Sequence, residues 1–233
     1  MSVVVVTANL GDFELCGDPV EQSVPCDFFR FDDQNFPPRN RAMTPRFQAR
    51  LPKVFTAEMI QEKYDFYIWC DSSLTISHPD TVKWFLEQCE GVDAAFFRHP
   101  DRRTIREEAD FIKAKIAAGN AYLTVRYENE LLDEEMAEIE GTPGFVDDLL
   151  IASSAFVYRP TDAVKEMMRE WWMQISRFHI VDQLGLPFAI WKAGVPVRII
   201  EEDYRATQYL SYPKHRGWSP ERSSTFRTER GLL

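Results

Sequence analysis

Three cations and two carboxylates set the chemical question. Arg46, Arg50 and Lys53 are four and three residues apart, the spacing that lines up one edge of a helix. Such an edge can neutralise an anion, and an arginine can bind two oxygens of one phosphate at once. The same spacing equally describes a solvated helix face. Asp71 follows an apolar run over residues 64–70 that reads as a buried strand. A carboxylate at the C-terminal end of a core strand points into the crevice where α/β sheets bind their ligands, a place suited to a divalent cation. The plain alternative is a turn aspartate followed by Ser72 and Ser73. Asp182, next to Gln183, opens a predicted helix. The helix dipole favours an acid there, and a site mouth would use one as a base on a hydroxyl or to orient a ligand.

Two further clusters and one lone residue could do chemistry. Thr7, Ala8, Asn9, Leu10 and Gly11 form a turn after the first strand, where backbone amides could read a base and Gly11 allows close approach. This turn lacks the Gly-x-Gly-x-x-Gly and Walker patterns, so dinucleotide and P-loop assignments lose support. His99 and Arg102, followed by Glu107 and Glu108, sit where the strand over residues 93–97 ends. They could bind hydroxyls or exchange protons, although Glu107 also completes a capping box with Thr104. His215, in the Arg-rich tail, could fold back to ligate a cation beside Asp71.

The elements that must position these residues alternate. Strands are predicted over residues 2–8, 28–31, 65–70, 93–97, 154–158 and 197–200. Helices are predicted over 45–55 with an interruption near Pro52, from Pro79 to about 90, from 105 onward, over 128–140, after Pro160, and over 181–193 with a stop at Gly194. Val164, Met167, Met168, Trp171, Trp172, Ile175 and Phe178 make one broad apolar stripe, read as core. This alternation implies an α/β fold, a mostly parallel central sheet with helices on both faces, in a single domain. Residues 211–233 read as a loop or flap.

Composition limits the partners. The chain has 233 residues, 45% hydrophobic and 13% aromatic, enough for a substantial core. A formal charge of −10 argues against nucleic acid or an anionic membrane, while leaving room for an anionic small ligand in a local cationic pocket. The opening run of valines is short, no apolar stretch nears the ~20 residues of a membrane span, and no leader is read. Cys16, Cys26, Cys70 and Cys89 show neither paired nor zinc-type spacing. Cys70 and Cys89 read as buried thiols, a Cys16–Cys26 bridge stays open, and a reducing, cytoplasmic setting is expected.

Taken in order, these clusters resemble a glycosyltransferase-like family of GT-A (Rossmann-like) fold, formerly described as a domain of unknown function, that includes plant mucilage and pollen-turgor proteins and bacterial relatives. The matching stretches are residues 44–53; residues 64–73, with Tyr64, Asp65, Trp69 and Asp71; His99, Pro100 and Arg102 through Glu107, Glu108 and Ala109; and Trp171 and Trp172 followed by Asp182, Gln183 and Leu184, with Trp191 and Lys192. The likeness implies a nucleotide-sugar donor, UDP-linked, a carbohydrate acceptor, and a role in polysaccharide biosynthesis. On it, Thr7, Ala8, Asn9, Gly11, Arg46, Arg50, Lys53, Asp71 and Ser73 would bind the donor, and His99, Arg102 and Gln183 the acceptor. Asp182 would be the catalytic carboxylate, with Glu107 or Glu108 as alternatives. A divalent metal, manganese or magnesium, would be held by Asp71, Ser73 and His215. Ser73 stands where the second acid of an Asp-x-Asp motif is expected, which weakens the metal and motivates an alternative, a non-catalytic carbohydrate- or nucleotide-sugar-binding module. Tyr158, Arg159 and Pro160 replace an Arg-Arg-His run, so acceptor binding would differ. A nucleotidyltransferase would need a Gly-rich basic loop that residues 9–18 lack.

Overall fold

The computed structural model describes residues 1–11, 17–37, 39, 43–178 and 181–212. The chain opens with β1 (Val3–Asn9), a β-branched strand, and β2 (Asp27–Asp32) pairs with it in parallel. Helix α1 (Pro45–Met59) starts where Thr44 caps it, its hydroxyl accepting from Phe47 N at 3.0 Å, with Pro45 in the first turn where its missing N–H costs nothing. Pro52 does not end the helix. The distortion lies three residues later, at Phe55 (φ −112°, ψ 24°), beyond the preceding turn that a proline ring crowds.

Next come β3 (Phe66–Cys70), β4 (Thr75–Ile76), α2 (Thr81–Gln88), β5 (Ala94–Arg98) and α3 (Ile105–Ala117). Pro79 lies just ahead of α2 rather than in its first turn, Asp80 being the cap. The expected capping box of α3 forms, Thr104 taking the Glu107 amide and Glu107 reaching back. Helix α4 (Ala121–Tyr127) was not anticipated; Asn120 caps it through Leu123 N at 3.0 Å. The acidic helix expected from residue 128 starts later, as α5 (Leu132–Glu140), after Asn129 turns the chain at φ 66°. Then follow β6 (Ile151–Tyr158), α6 (Asp162–Arg177), α7 (Asp182–Ala193), β7 (Val197–Ile200) and β8 (Leu210–Ser211). Gly194 ends α7 in the left-handed conformation (φ 63°), as its sequence position implies.

The central sheet has strand order β2-β1-β3-β6-β5-β7, and a short β4-β8 ladder sits apart. Only β6 runs antiparallel, so β1, β2, β3, β5 and β7 all end at one edge. β1 is flanked by β2 on one side and β3 on the other, which makes its C-terminal end a point of strand-order reversal, where crevices open in such sheets.

Alternation sends side chains to two cores. Val4, Val6, Tyr67 and Trp69 pack with Val54 of α1, with Val164, Met167 and Trp171 of α6 and with Leu186 of α7. Val3, Val5, Ile68 and Cys70 pack with Val82, Phe85 and Cys89 near α2 and with Leu210. The predicted stripe of α6 is core from Val164 to Ile175, with Trp172 at its margin stacked on Phe47 at 5.5 Å between ring centroids, whereas Phe178 caps the helix half-buried outside that core. Cys70 and Cys89 are buried thiols and Cys26 is a free one, whereas Cys16 lies outside the described residues. Among the described residues, no helix is long and apolar enough to cross a membrane.

Candidate active site

Asp71 emerges from β3 at the sheet's C-terminal edge. Its N–H donates to Ser154 O at 2.7 Å, and its carbonyl accepts from Leu74 N at 2.8 Å, closing the turn. Its carboxylate Oδ1 takes the indole N–H of Trp69 at 2.7 Å. The side chain keeps 27% of its surface exposed, so the acid is not sealed by packing.

Helix α1 brings Lys53 to the same oxygen. The ammonium lies 3.1 Å from Asp71 Oδ1, 2.6 Å from Asp182 Oδ2 and 3.3 Å from Ser153 Oγ. Three protons thus face three oxygens. The indole rings of Trp69 and Trp171 lie 5.9 Å away on either count, within reach of a cation–π attraction. With 1% of its side chain exposed, Lys53 is an internal counter-ion. This corrects its expected place as a direct ligand of the donor, since burial leaves it no open face.

Asp182 enters from the first turn of α7. Trp171 Nε1 anchors its carbonyl at 2.6 Å, and its carboxylate is 9% exposed, 3.4 Å from Arg50 Nε. Burial alone would raise this acid, but Arg50 and Lys53 override it and hold it at about 2. Conversely, burial works against the Arg50 charge while Asp182 and Asp71 more than restore it. Arg46, one turn earlier, is lowered to about 9 by burial and by the Arg126 guanidinium of α4. Arg46, Arg50 and Arg126 therefore gather beside Tyr122 and Tyr127, with Arg126 stacked 4.0 Å over the Tyr122 ring.

Ser153 owes its position to an irregularity. β6 pairs Phe156 with Phe96 but Ala152 with Phe97, so residues 153–155 bulge out of that ladder. The bulge shifts the in-out alternation, and Ile151 returns to the core of Val4 and Trp69, opposite to strict period-two counting. Ser153 is thereby turned toward α1. Ser154, its neighbour, supplies the carbonyl for Asp71 and a hydrogen bond to Tyr204, whose phenol burial pushes up to about 12.

On the other face of the same edge lies a cavity of about 150 Å³, lined by Thr7, Arg30, Cys70, Ser72, Thr75 and Ile76 among others. A cavity of ~150 Å³ admits a benzene-sized ring. Thr7 Oγ1 is buried and finds no hydrogen-bond partner among the described residues. Elsewhere on the β1 turn, Gly11 adopts φ 70° and its N–H is held by Asp33 at 2.9 Å, so that amide is not open to read a base. Ala8 points into the core.

The cluster after β5 is tied down. His99 Nδ1 accepts from the amides of Asp101 (3.2 Å) and Arg102 (3.1 Å), and burial and Arg102 lower its pKa to about 4. That nitrogen shapes its own loop. Glu108 is buried, ion-paired to Arg102 and hydrogen-bonded by Gln183; burial raises its carboxyl, with Arg102 and Gln183 opposing. Arg102 and Gln183 are thus spent on Glu108. Glu107 is exposed, takes the Arg103 amide at 2.7 Å and serves as the cap of α3. Ser153, Arg126 and Tyr204 went unnoticed in the sequence; the serine's only signal was its place beside a strand start.

A divalent cation does not fit the residues described. One oxygen of Asp71 already meets Lys53 and Trp69, its partner in the motif is the hydroxyl of Ser73, and a cation between Asp71 and Asp182 would collide with the ammonium. Among the described residues no three His, Cys, Asp or Glu side chains converge as a metal site. His215 lies outside the described residues.

No protein-family model and no curated protein matches the sequence. Among solved structures, the chain is similar to a glycosyltransferase involved in glycosylation of the major capsid of PBCV-1, at 8% identity and TM-score 0.43, covering 98% of this chain and 100% of that one. It is also similar to the galactosyltransferase LgtC in complex with donor and acceptor sugar analogs, at 10% identity and TM-score 0.42, covering 99% and 96%. A third is CMP:2-keto-3-deoxy-manno-octonic acid synthetase complexed with CTP, at 11% identity and TM-score 0.45, covering all of both chains. At these scores the likeness is one of outline, and no residue's role is carried over from these proteins.

Proposed function

We propose that the chain is a glycosyltransferase that uses a nucleoside diphosphate sugar, with UDP-sugars the first donors to test. The observation that supports this most is the gathering of Arg46, Arg50 and Arg126 around the Lys53–Asp71–Asp182 bridge, at the sheet edge that also carries a ring-sized cavity. Like-charged guanidinium groups held together are the arrangement an anionic ligand stabilises. In this reading the base sits in the cavity by Thr7, Arg30 and Ser72, and the diphosphate crosses the Asp71 turn to the arginines. The acceptor glycan approaches from the side of Gln183 and the loop after β5.

In transfer, the bond from the anomeric carbon to the diphosphate oxygen breaks and its electron pair leaves on the diphosphate. The acceptor oxygen forms the new bond to that carbon, and its hydroxyl proton passes to solvent. Arg46 and Arg50 stabilise charge growing on the leaving group, each able to hold two oxygens. Asp182, held near 2, is too weak a base to collect that proton. Its part is to stay ionised, fixing the cations and opposing positive charge on the sugar ring.

A thermal-shift screen of nucleoside diphosphate sugars, with release of free nucleoside diphosphate as second readout, tests this. At a hundredfold excess over Kd, ligation gives about 2.7 kcal/mol, or roughly 5–10 °C in Tm for a chain of this size. The shift should vanish in Arg50→Ala. Silence across every nucleotide sugar would refute donor binding. The pairing of Asp182 and Glu108, which leaves neither carboxylate free, favours a second reading as a non-catalytic binding module. A shift without nucleotide release or transfer to any glycan would select that reading.

A further inference from the structure

Resting on the donor reading above, we propose that this site binds its diphosphate without a divalent cation, the Lys53 ammonium standing permanently where a metal would bridge the two acids. The geometry is specific. Lys53 Nζ lies 3.1 Å from Asp71, 2.6 Å from Asp182 and 3.3 Å from Ser153, oxygens supplied by the turn after β3, by α7 and by β6. A metal bridging the acids would have to occupy the same volume beside a positive charge. Magnesium further demands six oxygens in near-ideal octahedral array at about 2.0–2.1 Å. Around Asp71 the described residues offer an indole N–H and an ammonium, which are donors, and the Ser73 hydroxyl as the motif's second member.

What a metal supplies to a diphosphate is positive charge on two phosphate groups at once. Here that charge is already in place on α1 and α4. Arg50 holds Asp182 from one turn N-terminal to Lys53, Arg46 follows one turn further out, and Arg126 approaches from α4. The buried ammonium bridges the Asp71 and Asp182 carboxylates and holds them close together. It is a positioning residue, because it is sealed from the ligand. The arginines, partly exposed, make the contact.

The test is calorimetric titration of the full chain with UDP, GDP, CDP and ADP, in EDTA and again in excess manganese. The preferred nucleotide should bind with a Kd that differs by less than about threefold between the two buffers. Tenfold or greater tightening by manganese, about 1.4 kcal/mol, would overturn the inference while leaving donor binding intact. Failure of every nucleoside diphosphate, and of every nucleoside diphosphate sugar, in both buffers would overturn donor binding and this inference with it. A second readout needs no nucleotide. Trp69 donates to Asp71 at 2.7 Å, so manganese arriving there should quench its fluorescence. Added manganese alone should give no saturable quenching; saturable quenching that Asp71→Asn abolishes would overturn the inference.

Discussion

Asp182 carries the electrostatics of the site. Its folded pKa, about 2, lies below the ordinary 3.8, so the native state binds its proton less readily than the unfolded chain does. A depressed acid contributes stability that is complete above the unfolded value and is lost as pH falls through the folded one. Asp182 should therefore stabilise the fold fully near neutrality and release that contribution between about pH 4 and pH 2. Asp182→Asn should lower stability by about 3–5 kcal/mol at pH 7, since it strips a buried ammonium of a partner. It should also flatten the acid limb of urea midpoints measured against pH. An unchanged limb would mean that another carboxylate governs acid unfolding. The sequence made part of this cluster visible, because helical spacing aligned 46, 50 and 53 and the strand end exposed 71, while Ser153 and Arg126 went unseen. It did not show who pairs with whom, because Lys53 and Asp182 lie on different helices and only packing brings them together.

At the scale of elements, α7 matters because it delivers Asp182 and Gln183, and its approach to α6 is set by Gly185. A Cβ on Gly185 would lie 2.6 Å from Gln174 Cβ and 3.0 Å from Glu135 Oε1. Replacing a helical glycine by alanine ordinarily helps by about 1 kcal/mol. Here the contact is with packed carbon, and overpacking costs about 1–3 kcal/mol. Gly185→Ala should lower Tm and weaken nucleotide binding together, as calorimetry and thermal melts would read; a more stable variant would show that the two helices have slack. Local codes made several elements legible, among them the α6 stripe, the α3 capping box and the Gly194 stop. The β6 bulge was not among them. Its register shift answers to pairing with β5 and β3, and nothing in Ala152, Ser153 and Ser154 announces it. Helix α4 was missed for a different reason, since a two-turn segment rich in aromatic and β-branched residues has no helical signature of its own.

Across the whole molecule, a net charge of −10 coexists with the gathered Arg46, Arg50 and Arg126, the place where the proposed donor's phosphates would meet positive charge. The sheet divides that place by chemistry. Its α1 face carries the guanidinium groups, and its α2 face carries the cavity beside Thr7 and Ser72. Ser72→Trp, which fills the cavity, should weaken nucleotide binding by about tenfold or more and leave binding of inorganic pyrophosphate within about threefold, both by calorimetry. Equal losses for both ligands would show that the cavity is not where the base rests. This division was not readable beforehand, because it depends on which side of the sheet each edge residue faces once β4 and the segment from residue 17 close over it.

The lysine bridge has one more implication. Its four members come from chain positions 53, 71, 153 and 182, contributed by a helix, the turn after β3, a strand and a second helix. Contacts of such long sequence separation form only when distant segments have already come together. No single element carries all four groups, so the bridge is complete only once the four segments have packed together.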